Sequence, residues 1–359
     1  MSDPRVYRIA AIPGDGIGKE VVPAAAEVLD AVASAYGFGL RWDTVPWGCE
    51  YYLEHGAMMP ADGIKTLRSY DAIFLGAVGH PDVPDHVSLW GLLIPIRRGF
   101  RQAVNVRPSR VFDAGLSPLA GVDPSVDFVV IRENNEGEYS TIGGRIYDGT
   151  DQDMAIQAAV FTRKGVERVV RYAFDLARTR RGRLASATKS NGIVHTMPFW
   201  DQIVEEIAEQ YPDVERTRYH ADALAALLVL DPRRFDVIVA SNLLGDILTD
   251  LGSAVTGSIG LGPSANLNID GQYPSMFEPI HGSAPDIAGR GVANPLGQIW
   301  AGAMMLDHLG ERAAAAAVVD CVEWSLGSTG TRTADVGGSA GTAQVVESIL
   351  ARLKSRPPE

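Results

Sequence analysis

The chain has 359 residues, 46% of them hydrophobic and 21% charged, and carries a formal net charge of −12. That length buries a sizeable core and suits two domains or one large α/β unit. No run approaches ~20 uninterrupted apolar residues, so no membrane span is expected, and a diffusely acidic surface argues against nucleic acid, whose binding needs clustered cations.

In chain order, the opening MSDPRVYRIAAIPGDG lacks the pattern of a signal peptide. Its apolar run, 6–13, reads as a strand that leads into the glycine loop PGDGIG (13–18), and 18–37 reads as a helix. The loop follows a strand and opens a helix but lacks GxGxxG spacing, so it is a weak dinucleotide signal. Asp71–Val78, Asp127–Ile131 and Asp236–Ala240 are strand candidates, and Thr162–Arg178, Met197–Tyr211 and Ala293–Leu309 carry helical patterns. This alternation predicts α/β layers with parallel strands. The alanine run Ala313–Ala317 reads as helix interior, and the tail Lys354–Glu359, with two prolines, as loose. Two cysteines far apart, Cys49 and Cys321, predict reduced structural thiols in a cytoplasmic protein.

An acidic protein that takes an acidic substrate needs arginines gathered in one cleft. The segment 91–110, GLLIPIRRGFRQAVNVRPSR, holds five, and Arg132 follows at the end of a strand, where α/β sheets present ligand-binding residues. Arginine offers the planar fork that a carboxylate needs. Arg97, Arg107 and Arg132 are the candidates, since Asn-Val-Arg-Pro and a strand end are unusual settings for solvated charge. Arg98, Arg101 and Arg110 read as surface charge.

In SNLLGDILTDLG (241–252), Asp246 and Asp250 fall on one face of a helix. Like charges at that spacing repel, and a hard divalent cation would turn repulsion into coordination. Removal of either is therefore expected to leave the ion-free protein as stable or more so. Asp222, at the start of an apolar helix, would alone be an N-cap; as a third carboxylate it completes an open metal site. Lys189 and Tyr139 are candidate acid–base groups, each an ordinary surface or packing residue if taken singly. His195 reads as a helix-entry histidine. The glycine-rich loop EPIHGSAPDIAGRGVANP (278–295) is the stronger nucleotide candidate, because an acidic residue there could bind ribose hydroxyls and repel a 2′-phosphate.

Jointly, PGDGIG, RRGFRQAVNVRP, RENNEGEY, SNLLGDILTDLG and EPIHGSAPDIAG resemble the β-decarboxylating isocitrate/isopropylmalate dehydrogenase family, and the resemblance spans nearly the whole chain. It implies a two-domain, isopropylmalate-dehydrogenase-like α/β sandwich rather than a Rossmann fold. A cofactor-side domain would comprise 1–103 plus 258–359, and a substrate, metal and dimerisation domain 104–257. Arg97, Arg107 and Arg132 would clamp a dicarboxylate substrate together with Asp222. Asp222, Asp246 and Asp250 would hold Mg2+ or Mn2+, and Lys189 and Tyr139 would form the catalytic pair. NAD would lie against Gly76, Ala77, Val78, Gly79, Glu278, His281, Gly282, Ser283, Ala284, Asp286 and Asn294. Lys189 and Asp222 would reach the site of a neighbouring copy, making a homodimer with shared active sites.

The implied reaction is oxidation of a 2-hydroxy dicarboxylate with hydride transfer to NAD+, with or without loss of CO2. Lys189, through a water, would accept the hydroxyl proton, and Tyr139 would protonate the enol carbon. Specificity would lie at Trp90, Leu93 and Ile94. Where isopropylmalate dehydrogenases carry a glutamate this chain has Trp90, which resembles the tartrate and D-malate branch, a branch that also implies a monovalent cation such as K+. Two alternatives stay open: a 3-isopropylmalate dehydrogenase, and a catalytically silent regulatory subunit, which would be expected to lose clamp arginines or metal carboxylates.

Overall fold

A computed structural model of the protein describes residues 5–355. The described residues divide into two compact units: 5–102, 110–124 and 253–355 form the first, and 103–109 and 125–252 the second.

In the first unit, β1 (Val6–Gly14) runs into α1 (Gly18–Tyr36). Val21, Val22, Ala25, Val28, Leu29 and Val32 of α1 recur every three or four positions and are all buried, which is the stripe that seats a helix on a sheet. Gly37 ends α1 in the left-handed conformation, φ 78°, where a side chain would be strained. There follow β2 (Gly39–Thr44), α2 (Cys49–His55), α3 (Gly63–Leu67), β3 (Ala72–Ala77) and α4 (Asp85–Ser88). A π-helical turn, Leu89–Leu93, then leads into α5 (Ile94–Gly99).

The second unit carries β4 (Val104–Arg110, up to Ser109), β5 (Asp127–Glu133) and a small antiparallel hairpin of β6 (Gly143–Ile146) and β7 (Met154–Gln157). It continues with α6 (Arg163–Thr179), β8 (Arg183–Thr188), α7 (Thr196–Ala208), β9 (Glu215–His220), α8 (Ala221–Leu230), β10 (Val237–Ala240) and α9 (Asn242–Thr256). The last residues of α9 belong to the first unit, which resumes with β11 (Pro263–Leu267), β12 (Ser275–Pro279), α10 (Leu296–His308), α11 (Arg312–Leu326) and α12 (Thr342–Ser355).

The first unit orders its strands β2-β1-β3-β12-β11, parallel except for β11 against β12. The second orders them β4-β5-β10-β8-β9, with β5, β10, β8 and β9 parallel. Parallel strands covered by helices need both faces apolar, and β3 and β10 are buried throughout. The loops that matter below leave the C-terminal ends of parallel strands: 15–17, 78–79 and 281–286 in the first unit, Arg132 and 189, 222 and 242 in the second.

The expected strands and helices all form, with ends shifted by a few residues, and Ala313–Ala317 lies inside α11. His195 stands at the N-cap of α7. Asp222 is not a cap: His220 occupies that position, and Asp222 sits in the first turn, where its charge favours the helix dipole. Of the tail, Lys354 and Ser355 end α12, and 356–359 lie outside the described residues. Cys49 and Cys321 are buried and unpaired. Among the described residues no helix is long and apolar enough to cross a membrane.

Candidate active site

The three arginines singled out above are the buried ones: Arg97 is 6% exposed, Arg107 8% and Arg132 2%. Arg98 and Arg101 are exposed, and Arg110 pairs with Glu323 at 2.9 Å. A buried guanidinium needs partners for its charge and its N–H groups.

In the first unit, Arg97 on α5 donates through Nη2 to Glu278 Oε1 of β12 at 2.8 Å, and Asn266 donates to the same oxygen at 2.7 Å. The Nε of Arg97 is buried and has no hydrogen-bond partner. Trp90, in the π-helical turn, lies under Arg98, whose Cζ is 5.1 Å from the ring centre. Trp90 and Leu93 are half-buried, while Ile94 is buried.

In the second unit a tighter cluster forms around Asp246, on the second turn of α9. Arg132, at the end of β5, donates through Nη1 to Asp246 Oδ1 at 2.5 Å, and Tyr139 donates its hydroxyl to Oδ2 at 2.7 Å. Arg107, on β4, donates to Thr249 at 2.8 Å and to Asp246 at 3.3 Å, and stands 3.6 Å from Asp250. Its Nε, like that of Arg97, is buried without a partner. Gly245 lets α9 come this close, since a Cβ there would lie 2.7 Å from Arg132 Cγ. Loss of surrounding water, and then the like charge of Asp246, push Asp250 above the ordinary carboxylate range, against the pull of Arg107.

Lys189, after β8, forms a separate pair: its Nζ lies 2.8 Å from Asp222, at the start of α8. That hydrogen bond lowers the carboxyl pKa of Asp222. Among the described residues no three His, Cys, Asp or Glu groups assemble into a metal-binding set, so Asp222 does not join Asp246 and Asp250 within one chain.

The nucleotide candidates lie in the first unit. Gly76 and Ala77 end β3, and Val78 and Gly79 follow it. Ser283 is buried, Gly282 and Asp286 are exposed, and Ala284 takes a positive φ of 40°. His281 pairs Nδ1 with the Gly282 carbonyl at 3.0 Å, and its Nε2 is buried with no partner. Burial lowers its pKa, which keeps the ring neutral with Nε2 as an acceptor. Asn294 is engaged within the fold: it donates to Asp335 at 3.0 Å and accepts the Leu296 N–H at 3.0 Å.

Sequence reasoning passed over several polar residues that shape the cluster. Asn242, 2% exposed, accepts Arg132 Nε at 3.1 Å and Nη2 at 2.7 Å through one neutral oxygen, which aims the guanidinium without neutralising it. Thr249 does the same for Arg107. Glu138 accepts the Leu243 N–H at 3.1 Å in the first turn of α9. Fully buried Glu133 accepts the N–H groups of Asn135 at 2.9 Å and Glu136 at 2.8 Å, tying the turn that presents Tyr139; burial pushes its pKa up to about 7. These residues lie inside motifs quoted above, which is the signal that could have found Asn242 and Thr249.

Buried arginines gathered on carboxylates at strand ends point to small-anion chemistry, and comparison with known proteins names the family. The isocitrate/isopropylmalate dehydrogenase model matches residues 8–349. The chain belongs to that family. Among curated relatives, a probable tartrate dehydrogenase/decarboxylase of Bacillus subtilis is 56% identical, with 97% of this chain and 98% of that protein covered. A decarboxylating D-malate dehydrogenase of Escherichia coli is 53% identical, with 96% and 98% covered. Among solved structures, an isocitrate dehydrogenase from Methylococcus capsulatus matches with a TM-score of 0.87 and 37% identity, over 97% of this chain and 99% of that one. A β-decarboxylating dehydrogenase from Thermococcus kodakarensis matches with a TM-score of 0.77, 34% identity and 97% and 96% covered. The resemblance to the tartrate and D-malate branch is thus borne out, and so is the family's α/β fold. This family member is an enzyme of the decarboxylating-dehydrogenase kind.

Proposed function

We propose that the enzyme oxidises a small 2-hydroxy dicarboxylate, D-malate or a tartrate, using NAD+ and Mg2+ or Mn2+, with or without loss of CO2. The observation that carries this reading is the set of three buried arginines, two of which keep a buried Nε without a partner. Such an N–H is costly to bury unless an oxyanion completes it. The names of the relatives favour a tartrate or D-malate over 3-isopropylmalate.

The residues fit the groups this chemistry needs. Asp246 and Asp250 offer hard oxygen donors whose mutual repulsion a divalent cation would relieve. A third carboxylate must come from elsewhere, and Asp222 of a second copy is the natural source. Exposed apolar side chains support a homodimer: Ile142, Tyr147 and Ile156 are 59%, 61% and 60% exposed around the hairpin, Leu230 on α8 78% and Ile247 on α9 59%. For the nucleotide, the unpartnered His281 Nε2 is an acceptor awaiting a donor. Two buried thiols with no disulfide accord with work in the cytoplasm. A requirement for K+ belongs to the same proposal.

When bound, the metal supplies Lewis-acid polarisation of the substrate oxygens and NAD+ supplies the hydride acceptor. Arg97, Arg107 and Arg132 bind and orient the carboxylates. Lys189, through a water, takes the proton from the 2-hydroxyl as hydride leaves C2. Tyr139, held at Asp246, donates a proton to the carbon from which CO2 has left.

A substrate panel with Mn2+ and either NAD+ or NADP+ tests the proposal, using D-malate, the tartrate isomers, 3-isopropylmalate and isocitrate. The expected result is the highest kcat/KM on D-malate or a tartrate, poor use of isocitrate, and preference for NAD+, because Asp286 would repel a 2′-phosphate. A kcat/KM for 3-isopropylmalate well above the others would make the enzyme an isopropylmalate dehydrogenase. No turnover of any of them would favour the regulatory subunit.

A further inference from the structure

The loop PGDGIG has no part in the chemistry above, yet it is among the most constrained segments of the first unit. Asp15 is 1% exposed. Its carboxylate accepts the N–H of Cys49 at 2.9 and 3.0 Å, of Glu50 at 3.3 Å and of Gly79 at 3.0 Å. Its own N–H donates to the Ala77 carbonyl at 2.7 Å, and the N–H of Ile17 donates to the Ser283 carbonyl at 2.8 Å. The glycines on either side allow this contact. A Cβ on Gly14 would lie 2.0 Å from the Ala77 oxygen, and one on Gly16 2.0 Å from the Ser283 oxygen, at φ +70° and +53°.

Three strips of backbone are gripped in this way: the start of α2 at Cys49 and Glu50, and the loops 76–79 and 281–286. We propose that Asp15, with the bare backbone of Gly14 and Gly16, is a positioning residue for the cofactor site: Asp15 ties 76–79 to the start of α2 and to the end of β1, the Gly16–Ile17 backbone that follows it ties down Ser283, and together they fix where NAD+ binds. This rests on the assignment of those loops to NAD+ made above. A carboxylate suits the task because both oxygens accept, and hydrogen bonds from neutral donors to an ionised acceptor are the stronger kind. An asparagine of the same shape offers one acceptor oxygen and one NH2. However it turns, either the Gly79 N–H or the Glu50 N–H then faces a donor.

The test is Asp15→Asn beside Gly16→Ala, each compared with the unmodified enzyme in NADH titration and steady-state kinetics. The expected change in Asp15→Asn is a rise of about tenfold in Kd for NADH and KM for NAD+, equivalent to about 1.4 kcal/mol. KM for the dicarboxylate and kcat at saturating NAD+ are expected to stay within about twofold, the pattern of lost uniform binding. Gly16→Ala should move the same constants in the same direction by displacing Ser283. A loss of thermal stability and kcat with KM for NAD+ unchanged would mean that Asp15 only holds the fold, and overturns the proposal. If Asp15→Asn does not fold, hydrogen exchange on the unmodified enzyme decides: the Gly79 and Ile17 amides should be protected before any nucleotide is added, and exchange at open-loop rates overturns the proposal. Failure of the unmodified enzyme to bind NADH sinks the cofactor assignment and the proposal with it; binding that Asp15→Asn leaves unchanged sinks the proposal alone.

Discussion

Asp246→Asn and Asp250→Asn remove the same charge one helical turn apart, yet the structure assigns them unequal effects on the ion-free protein. Spacing alone predicts that either change relieves repulsion. Asp246, however, accepts from Arg132 at 2.5 Å, Tyr139 at 2.7 Å and Arg107 at 3.3 Å, and Arg132 is 2% exposed. An asparagine oxygen can keep both arginine donors, which share Oδ1, with its NH2 turned to the Tyr139 hydroxyl, but it brings no charge to set against the two guanidinium groups. Removing one partner of a fully buried pair costs ~3–5 kcal/mol. The Asp246 side chain is 33% exposed, and Asn242 keeps its two hydrogen bonds to Arg132. The expected loss is therefore roughly 1–3 kcal/mol. Asp250 is 56% exposed, 3.6 Å from Arg107, and already pushed up in pKa by desolvation and by Asp246. Its replacement should change stability by less than ~0.5 kcal/mol or raise it. Equilibrium urea unfolding in EDTA reads this difference directly. Repeated with Mn2+, the same experiment should show stabilisation of the unmodified protein by mass action and little in either variant, with dehydrogenase activity lost in both. An Asp246→Asn protein as stable in EDTA as the unmodified one refutes the ion-pair account. A full Mn2+-induced shift in both variants refutes the metal assignment.

Glu133, fully buried, has its carboxyl pKa raised from 4.5 to about 7 by burial, against the hydrogen bonds from Asn135 and Glu136. The folded state then binds this proton more tightly than the unfolded one, so the group's contribution to stability is greatest below about 4.5 and falls as pH rises to about 7. Glu133→Gln should flatten that dependence, with the variant gaining about 3 kcal/mol on the unmodified enzyme between pH 4.5 and 8; parallel stability curves would show that Glu133 titrates normally. Lys189→Met should suppress hydride transfer itself, and Tyr139→Phe should slow carbon protonation more than the redox step. Single-turnover NADH formation against product release separates the two, and equal modest losses at every step would reduce both residues to packing.

The parts of the site that were legible in the sequence are those whose local setting was already odd. Arg107 in Asn-Val-Arg-Pro and Arg132 at a strand end stood out from Arg98 and Arg101, and burial divides them in the same way. The carboxylate face of α9 followed from helical spacing alone. What stayed hidden was pairing. Glu278 accepts from Arg97 across 181 residues, and Asn242 from Arg132 across 110, and no local pattern links them. Their meeting depends on strand order. In the second unit β10 lies between β5 and β8, although it comes after both in the chain. That order sets the end of β10 beside the end of β5, and so brings the first turns of α9, with Asn242 and Asp246, onto Arg132. The adjoining pair β8 and β9 ends instead at Lys189 and Asp222, which find each other. Alternation of strand and helix predicted the layers but not this permutation. A neutral residue such as Asn242, whose value lies wholly in what it is placed against, becomes readable only once the neighbours of its strand are known.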